Sequence, residues 1–418
     1  MDLREYVVRK ATEAKEGARS LAKASGQLKK RVLVKMAESI RSNSALIISE
    51  NNKDVAAAKT KGLTEAMIDR LTLNDKRIEE MAAGLMEVSD MKDPVGEITN
   101  LQRRPNDMMV GRMRVPIGVV CIIYESRPNV TADAAGLCLK AGNAVILKGG
   151  SEAIHSNMSI VSLLRKTLTS EGLDAGAITF IDNTERTAVM ELIKLEGLVD
   201  LVIPRGGEGL IRSVTENAQV PVLKHYKGVC HVYVDADCSL KMAEDICFNA
   251  KVQRPGTCNA METMLVNAAV AEAFLPQMVQ RFLDAGVELL GCPETIKIVP
   301  LLKPVSDQDY YNEYLSLKMN TRVVKTMDEA IEHIARYSSN HTDTIVTNNH
   351  ERAMRFLREV DSSAVLINAS TRMNDGGQFG LGAEIGISTD KIHARGPMGI
   401  EELTCNKFVV FGNGQLRG

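Results

Sequence analysis

The 418-residue sequence contains no tryptophan, and aromatic residues make up only 4% of it. Such a chain has few rings on which to stack nucleic-acid bases or to cage a quaternary amine. Long apolar runs are also missing, since none approaches the about 20 residues needed to cross a bilayer. The first five residues, MDLRE, lack the apolar core of a signal peptide. We therefore expect a cytoplasmic protein that binds neither nucleic acid nor membranes.

Neither sign of charge dominates, because 51 Lys and Arg stand against 53 Asp and Glu, for a formal net charge of -2. With this balance, neither a polybasic surface for nucleic acid nor an acidic tail dominates the chain. The sequence has no Cys-x-x-Cys pair, and its eight cysteines are too sparse for a disulfide scaffold. We expect thiols in a reducing compartment, each to be judged on its own surroundings.

The chain does contain 44% apolar residues, enough for two or three buried cores at about 150 residues each. Amphipathic helices are predicted in the first ninety residues, with Gly26 as the C-terminal cap of the first. From residue 118 onward, short β-branched apolar runs alternate with helical segments, which is typical of parallel sheets that bind ligands at the carboxyl ends of their strands. The predicted strands are residues 118–124, 144–148, 177–182 and 198–203, then 229–234, 261–266, 343–347 and 364–368; residues 101–116 are predicted as a protruding ribbon and 403–411 as a further strand.

Cys258 is the first candidate for chemistry. Pro255 and Gly256 break the preceding predicted helix, so the thiol is expected on a turn. A cation such as Arg254 nearby would favour the thiolate, which is the species that attacks a carbonyl carbon. The alternative is that Cys258 is one of eight small hydrophobic residues of the core.

Two glycine-rich segments, one with Gly149 and Gly150 and the other with Gly206 and Gly207, each follow a predicted strand and precede a predicted helix. Backbone N–H groups at such a place, with the ammonium of a lysine, would stabilise a phosphate. Neither segment is Gly-x-Gly-x-x-Gly or a P-loop, and glycines at strand ends are most often only turns. Two such segments in one sheet nevertheless favour a nucleotide. The candidate cofactor-binding residues are Lys148, Gly149, Gly150, Ser151, Gly206 and Gly207.

A zinc site is the competing hypothesis, because four cysteines and two histidines lie close together in the sequence. Structural zinc sites usually pair ligands about two to four residues apart, and these residues are spaced more widely. We expect no metal site, and we keep a non-catalytic nucleotide-binding or structural-zinc protein as the alternative. The residues concerned are Cys230, Cys238, Cys247, Cys258, His225 and His231.

Several motifs resemble the aldehyde dehydrogenase superfamily, and the resemblance covers essentially the whole chain. It implies an α/β, aldehyde dehydrogenase-like fold with two Rossmann-like domains and a small β oligomerisation element. The motifs are residues 124–129, 141–143, 147–150, 253–258 and 379–397. The implied domains are 1–100 and 117–227 for cofactor binding, 228–395 for catalysis, and 101–116 and 396–418 for the oligomerisation ribbon and tail.

The same resemblance implies roles for individual residues. Cys258 would be the catalytic nucleophile, and Lys148 would contact the cofactor ribose or the adenine-side phosphate. Glu313 falls where the family has a glutamate on the nicotinamide ribose. For the oxyanion amide, alignment from either side of residues 125–129 gives positions two residues apart, and we choose Asn129.

Two departures from the superfamily refine the expected reaction. Hydrolytic members use a glutamate, in Glu-Leu-Gly-Gly-Lys, as general base for water; the matching residues 224–228 here begin with Lys224. Without that base the acyl group should pass to another acceptor, inorganic phosphate, which a cation at Lys224 would suit. Ser151 stands where many NAD-using relatives have an acidic residue, so repulsion of a 2'-phosphate is removed and NADP(H) is the expected cofactor.

The branch that the motifs resemble reduces L-glutamyl 5-phosphate to L-glutamate 5-semialdehyde and phosphate with NADPH, through a cysteine thioester, in proline biosynthesis. Arg127, Arg254 and Arg395 are candidates for the substrate's phosphate or carboxylate, because guanidinium binds both as a planar fork. Each could instead form a structural salt bridge, and they are not ranked. The resemblance also implies a homo-oligomer, at least a dimer, and the lability of acyl phosphates is compatible with a transient contact with glutamate 5-kinase.

Overall fold

Helices fill the first ninety residues, where apolar side chains recur at helical spacing. The computed structural model describes residues 2–417; Met1 and Gly418, the outer ends of the predicted domains, lie outside the described residues. The α-helices are α1 (Leu3–Leu21), α2 (Gly26–Ser42), α3 (Ser44–Thr60), α4 (Glu65–Leu71), α5 (Asp75–Asp90), α6 (Asn129–Lys140), α7 (Ile154–Ser170), α8 (Thr187–Leu192), α9 (Glu208–Asn217), α10 (Leu240–Val252), α11 (Ala268–Asp284), α12 (Pro293–Ile298), α13 (Met327–Tyr337) and α14 (His350–Glu359).

Strands begin after the helical segment and then alternate with helices. The strands are β1 (Ile98–Arg103), β2 (Met109–Pro116), β3 (Val119–Tyr124), β4 (Ala144–Gly149), β5 (Ile178–Phe180), β6 (Leu201–Arg205), β7 (Cys230–Val234), β8 (Met261–Asn267), β9 (Glu288–Gly291), β10 (Lys303–Pro304), β11 (Lys318–Val324), β12 (Thr342–Val346), β13 (Ala364–Ile367), β14 (Ile387–Ser388), β15 (Gly396–Pro397) and β16 (Thr404–Phe411). Short 3-10 helices span Ser151–Ala153, Ala175–Ala177, Gln308–Tyr311 and Thr371–Met373.

One predicted helix boundary is wrong. α1 ends at Leu21 with Ala22 as its C-cap, whereas Gly26 opens α2. The side chain of Ser25 accepts a hydrogen bond from the N–H of Leu28 at 3.2 Å. An N-capping serine next to a glycine therefore marked the start of the second helix rather than the end of the first.

The chain forms two compact units. The first comprises the chain up to Lys224, together with Gly380–Gly386 and the residues from Met398 onward. The second comprises His225–Phe379 and Ile387–Pro397. The assignment of cofactor binding and catalysis to the predicted ranges stays a prediction. Within residues 2–417, no helix is both long enough and apolar enough to cross a membrane.

A parallel sheet with the order β5-β4-β3-β6 lies in the first unit. Every residue of β3 and β4 is buried, as their continuous apolar runs predict. Tyr124 pairs with Gly149 on one side and with Arg205 on the other, so these three strands end at the same edge. The chain proceeds from β3 outward to β4 and β5, then returns to the other side of β3 as β6. This reversal creates a topological switch point between β3 and β6, where ligands of open α/β sheets bind.

The predicted ribbon and tail join in an antiparallel sheet of the first unit, in the order β1-β2-β16. β16 pairs with β2 from Thr404 opposite Pro116 to Phe411 opposite Met109. Apolar side chains on both outer strands are exposed, among them Leu101 on β1 and Phe408 on β16.

A second parallel sheet, in the order β10-β9-β11-β8-β7-β12-β13, forms the centre of the second unit. Its core includes Val232 and Val234 of β7, packed with Phe274 and Phe282 of α11. The segments that lead into β7, β8 and β12 lie at the amino edge of three adjacent strands. Cys258 lies on the segment before β8, three residues before Met261.

Candidate active site

Cys258 lies on the turn that joins α10 to β8. Pro255 and Gly256 end the helical conformation, and the hydroxyl of Thr257 donates a hydrogen bond to the carbonyl oxygen of Arg254 at 2.9 Å. Cys258 is half-buried in this turn, in contrast to the fully buried Cys247 of the neighbouring core. The interpretation of Cys258 as a buried core residue is therefore wrong.

Thiols whose pKa is raised by burial are poor candidates for a nucleophile. Burial raises the pKa of Cys121 to about 12 and that of Cys238 to about 11, so both stay protonated near neutral pH. Burial also raises the pKa of Cys230 well above its usual value. No disulfide joins any of the cysteines in the described chain.

Arg372 forms hydrogen bonds with the turn of Cys258, to one residue before the cysteine and to one residue after it. Its Nε donates to the side-chain oxygen of Gln253 at 2.9 Å, and its Nη1 donates to the side-chain oxygen of Asn259. Burial and the charge of Arg254 lower the pKa of Arg372, while the negative charges of Asp375 and, to a smaller extent, of a Cys258 thiolate raise it. The attraction is mutual, so Arg372 favours the thiolate. Sequence reasoning missed Arg372, although it lies shortly before the glycine-rich motif of residues 379–397.

Gly228, on the segment before β7, and Glu313, on the segment before β11, support the same turn. The N–H of Gly228 donates to Oε1 of Glu313 at 2.8 Å. Gly228 also packs directly on the backbone of Cys258. The structure therefore connects Glu313, predicted as a cofactor ligand, to the turn of the predicted nucleophile through Gly228.

Two histidines lie beside Cys258 at the amino edge of the second sheet. One ring nitrogen of His225, one of His341 and Sγ of Cys258 lie within 4.8 Å of one another. The two imidazoles meet edge to face, with ring centroids 5.1 Å apart. Burial lowers the pKa of His341 well below its usual value, so this imidazole is neutral. His341 was missed because it is distant in the sequence and reaches Cys258 only through the pairing of β7 with β12 and β8.

A buried ion pair lies next to these elements. Nζ of Lys251 on α10 and Oε2 of Glu262 on β8 are 2.7 Å apart, and neither side chain is exposed. Burial, opposed by the charge and hydrogen bond of Lys251, raises the pKa of Glu262 to about 7, and the charge of Glu313 contributes to this increase. Sequence patterns gave no signal for this pair, because Lys251 is one of several charged residues on α10 and the sequence does not show that it alone is buried.

Six of the seven predicted cofactor-binding residues, all except Glu313, lie at the carboxyl edge of the first sheet. Gly207 is the N-cap of α9, and its N–H donates to Oε2 of Glu125 at 3.0 Å. A Cβ on Gly206 would lie 2.4 Å from that same carboxylate oxygen, so a larger residue there would require the side chain of Glu125 to move. A Cβ on Gly207 would meet no atom within 4 Å, so the backbone is open beside the N-terminus of α9. This edge fits a phosphate-bearing cofactor at the switch point between β3 and β6.

Lys148 and Ser151 lie at the end of the neighbouring strand. Lys148 is buried, burial lowers the pKa of its ammonium, and its Nζ donates to the carbonyl oxygen of Gly149 at 3.0 Å. Gly150 precedes the exposed Ser151, which opens a 3-10 helix. The next residue, Glu152, accepts hydrogen bonds from the N–H of Ser126 at 2.6 Å and from its hydroxyl at 2.7 Å.

The predicted substrate-binding residues are divided between the units. Arg127 is exposed after β3, and Lys224 is half-buried at the end of the first unit's main segment. Arg254 is exposed on the turn of Cys258. Arg395 is bound by Asp361, with Nη2 2.9 Å from Oδ1 and 3.1 Å from the carbonyl oxygen. Arg395 thus forms the salt bridge that was the structural alternative for each arginine.

Asn129, the predicted oxyanion donor, is the first residue of α6 and is exposed. Its Nδ2 donates to Oδ2 of Asp133 at 3.0 Å, one helical turn later. An amide nitrogen carries two hydrogens. The bond to Asp133 therefore uses one donor and leaves the second for other contacts.

Comparisons with known proteins agree with this architecture. A model of the aldehyde dehydrogenase family matches residues 3–302. The chain is 63% identical over 417 residues to the gamma-glutamyl phosphate reductase of Thermodesulfovibrio yellowstonii and 56% identical over 417 residues to that of Desulfatibacillum aliphaticivorans, with 100% of each chain covered in both comparisons. The crystal structure of gamma-glutamyl phosphate reductase from Thermotoga maritima superposes with a TM-score of 0.97 at 47% identity, covering 99% of this chain and 100% of that one. The predicted aldehyde dehydrogenase-like fold class is confirmed.

Proposed function

Because the chain belongs to the aldehyde dehydrogenase family and, within it, to the gamma-glutamyl phosphate reductases, we propose that it reduces L-glutamyl 5-phosphate to L-glutamate 5-semialdehyde and phosphate with NADPH. The chain is an oxidoreductase, as its motifs predict. The proposed reaction is a step of proline biosynthesis. Its proposed place is the cytoplasm, where a catalytic thiol stays reduced.

The observation that carries the proposal is the position of Cys258. The thiol is half-buried on a turn, with the guanidinium of Arg372 fixed on both sides of that turn. A nearby cation lowers the free energy of the thiolate relative to the thiol. The other buried cysteines have the opposite surroundings, because desolvation disfavours their charged form.

The thiolate of Cys258 attacks the acyl carbon of glutamyl phosphate, a C–S bond forms, and the C–O bond to phosphate breaks. Phosphate leaves and a thioester remains on the enzyme. NADPH, when bound, supplies the hydride that reduces this thioester. The oxyanion of the resulting thiohemiacetal needs hydrogen-bond donors, for which we propose the Cys258 backbone N–H and the amide of Asn129. Collapse of this oxyanion breaks the C–S bond, releases the semialdehyde and returns the Cys258 thiolate.

Lys224 supports phosphate as the leaving group and, in the reverse direction, as the acceptor. A carboxylate general base at this position would activate water and hydrolyse the thioester. A lysine cannot act in that way while it is charged, and its charge attracts phosphate. Arg254 and Arg127 are proposed to bind the substrate's phosphate or carboxylate. The guanidinium of Arg395 already forms a salt bridge with Asp361. To bind substrate, it must either contact the substrate with its remaining N–H groups or break this salt bridge.

The first sheet's carboxyl edge supports NADP(H) as the cofactor. We propose that Lys148, Gly149, Gly150 and Ser151 bind the adenosine side of the cofactor together with Gly206 and Gly207, and that Glu313 binds the nicotinamide ribose. Ser151 brings no negative charge to a 2'-phosphate. Glu152 beside it does carry charge, but its carboxylate is already held by two hydrogen bonds from Ser126.

The β1-β2-β16 sheet is the proposed oligomerisation element. Both β1 and β16 have an unpaired edge within this sheet, and exposed apolar residues lie along them, including Phe408, Val410 and Phe411. Such edges pair readily with another strand. A dimer is the minimum that we propose.

We propose that residues 1–100 and 117–227 bind the cofactor and that residues 228–395 carry catalysis. A transient contact with glutamate 5-kinase would protect the labile acyl phosphate.

The test is a spectrophotometric assay of glutamate 5-semialdehyde with phosphate and either NADP or NAD. We expect phosphate-dependent reduction of NADP by the wild-type chain and its loss in Cys258→Ser, with the circular dichroism spectrum unchanged. Cys405→Ser, at an exposed thiol of β16, is the matched control and should keep activity. Substantial turnover by Cys258→Ser would remove Cys258 from the mechanism.

A further inference from the structure

The group formed by His225, Cys258 and His341 has the composition and spacing of a metal site. Its three candidate ligand atoms lie within 4.8 Å of one another. In a tetrahedral zinc site, with bonds of about 2.0–2.3 Å, ligand atoms are about 3.3–3.8 Å apart. The atoms therefore need to approach by about 1.5 Å at most, which side-chain rotation can supply.

The hydrogen bonds of the two histidines orient them as ligands. Nδ1 of His225 lies 2.7 Å from the carbonyl oxygen of Ile387. A carbonyl oxygen only accepts, so Nδ1 carries the hydrogen and Nε2 of the neutral ring holds a lone pair. Metal-binding histidines characteristically donate their second N–H to a carbonyl or carboxylate in this way.

His341 supplies an independent observation. The residue is fully buried, and among residues 2–417 its Nε2 has no hydrogen-bond partner. Its Nδ1 lies 2.8 Å from the hydroxyl oxygen of Thr342. A buried nitrogen without a partner costs about 1–3 kcal/mol. Coordination of a metal ion would satisfy this nitrogen.

We propose that His225, Cys258 and His341 form an inhibitory site for Zn²⁺. The Cys258 thiol loses its proton to solvent, and the sulfur and the two imidazoles bind the metal, with the fourth position left to water. No electron is transferred, so removal of the metal restores the thiol. Inhibition rests on the proposed role of Cys258 as the nucleophile, whereas metal binding does not.

Co²⁺ is the probe for binding, because thiolate ligation to Co²⁺ produces a charge-transfer absorption band and tetrahedral coordination produces visible bands. Full-length protein stripped with EDTA should show both on titration with Co²⁺, and Zn²⁺ should abolish them. Cys258→Ser should lose the charge-transfer band. His225→Ala, at a half-buried position where folding is less at risk than at His341, should weaken affinity at least ~10–100-fold, the range that loss of an outer partner already costs.

Cys405→Ser and His350→Gln alter an exposed thiol and an exposed imidazole and should retain both bands. No charge-transfer band in the wild-type protein, or the same band in Cys258→Ser, would overturn the proposal. In the activity assay, Zn²⁺ should inhibit the wild-type enzyme and EDTA should reverse the inhibition, with His225→Ala needing at least about tenfold more Zn²⁺ for the same fractional inhibition. Bands without enzymatic activity would contradict the proposed function alone, and activity without bands would contradict the metal site alone.

Discussion

Gly228 approaches Cys258 so closely that a Cβ on Gly228 would lie 1.7 Å from the carbonyl oxygen of Cys258. No side chain fits at such a distance, so the two backbone segments can pack together only with glycine at position 228. The same carbonyl oxygen accepts a hydrogen bond from Sγ of Cys230 at 3.2 Å. The contacts of Gly228 and Cys230 therefore fix the position of the turn that carries the proposed nucleophile.

Gly228→Ala should displace that turn and lower kcat. A misplacement of about 1 Å at a reacting centre costs about 100-fold in rate, and we expect a loss of at least this order with secondary structure retained. Steady-state kinetics and circular dichroism measure the two effects. Gly209→Ala on α9 is the control, since its added Cβ would meet nothing within 4 Å. A kcat near that of the wild-type enzyme in Gly228→Ala would mean that this contact does not position Cys258.

The ion pair of Lys251 and Glu262 should stabilise the fold only as long as both partners are present. Removing one partner from a buried pair leaves a charge without compensation and costs about 3–5 kcal/mol, whereas replacing both with apolar residues is often neutral or stabilising. We expect Glu262→Leu to lower the thermal unfolding midpoint strongly and Lys251→Met combined with Glu262→Leu to recover much of that loss. Scanning calorimetry gives the order of the midpoints. A double variant no more stable than Glu262→Leu would contradict this account.

The strands and helices with regular patterns could be predicted from the sequence. Continuous apolar runs located β3 and β4 to within one residue at each end. Because both faces of such strands are buried, nearly all of their residues are apolar, and the sequence shows this as a continuous run. Boundaries set by capping were less predictable, as Gly26 shows, because one glycine can end a helix or begin the next.

The candidate site could be predicted only in part, because its residues are brought together by strand pairing. Cys258 was found from the turn residues beside it. His341 and Arg372 carry no such local signal and reach Cys258 through the tertiary fold. The rule that ligands bind at carboxyl ends gave the candidate cofactor residues of the first sheet, which stay a prediction. It could not give His225, Cys258 and His341, because all three precede their strands and lie at the amino edge of the second sheet.

Asp133 should make stability depend on pH. Burial raises its pKa from 3.8 to about 6, although the hydrogen bond from Asn129 lowers it. Between about pH 4 and 6 the native carboxyl keeps a proton that the unfolded chain has lost, so its stabilising contribution disappears as pH rises through this window. Asp133→Asn keeps the shape without the charge, and its unfolding midpoint should fall less than that of the wild-type protein from pH 4 to 7. Thermal unfolding measured at a series of pH values tests this, with Asp237→Asn, at an exposed position, as the control. If the unfolding midpoints of the wild-type protein and Asp133→Asn change with pH in parallel, Asp133 is not the source of the pH dependence.

Lys224→Glu should shift the acyl acceptor from phosphate towards water. The substitution removes an attraction for phosphate and supplies a carboxylate that can act as general base. We expect KM for phosphate to rise roughly tenfold, the equivalent of about 1.4 kcal/mol, and phosphate-independent reduction of NADP to appear. Lys224→Met separates the two effects, because it removes the charge without adding a base. If Lys224→Glu changes neither reaction, position 224 has no part in the choice of acceptor.

Ser151→Glu should reduce the preference for NADPH. A carboxylate at this exposed position would repel the 2'-phosphate and could accept a hydrogen bond from the ribose 2'-hydroxyl of NADH. We expect the ratio of kcat/KM for NADPH to that for NADH to fall about tenfold or more, which corresponds to about 1.4 kcal/mol. Ser151→Gln, which has the same size without the charge, should change the ratio much less. Equal ratios in Ser151→Glu and Ser151→Gln would show that residue 151 does not contact the ribose. The next residue to replace would then be Glu152, whose carboxylate could face the ribose if its hydrogen bonds with Ser126 break.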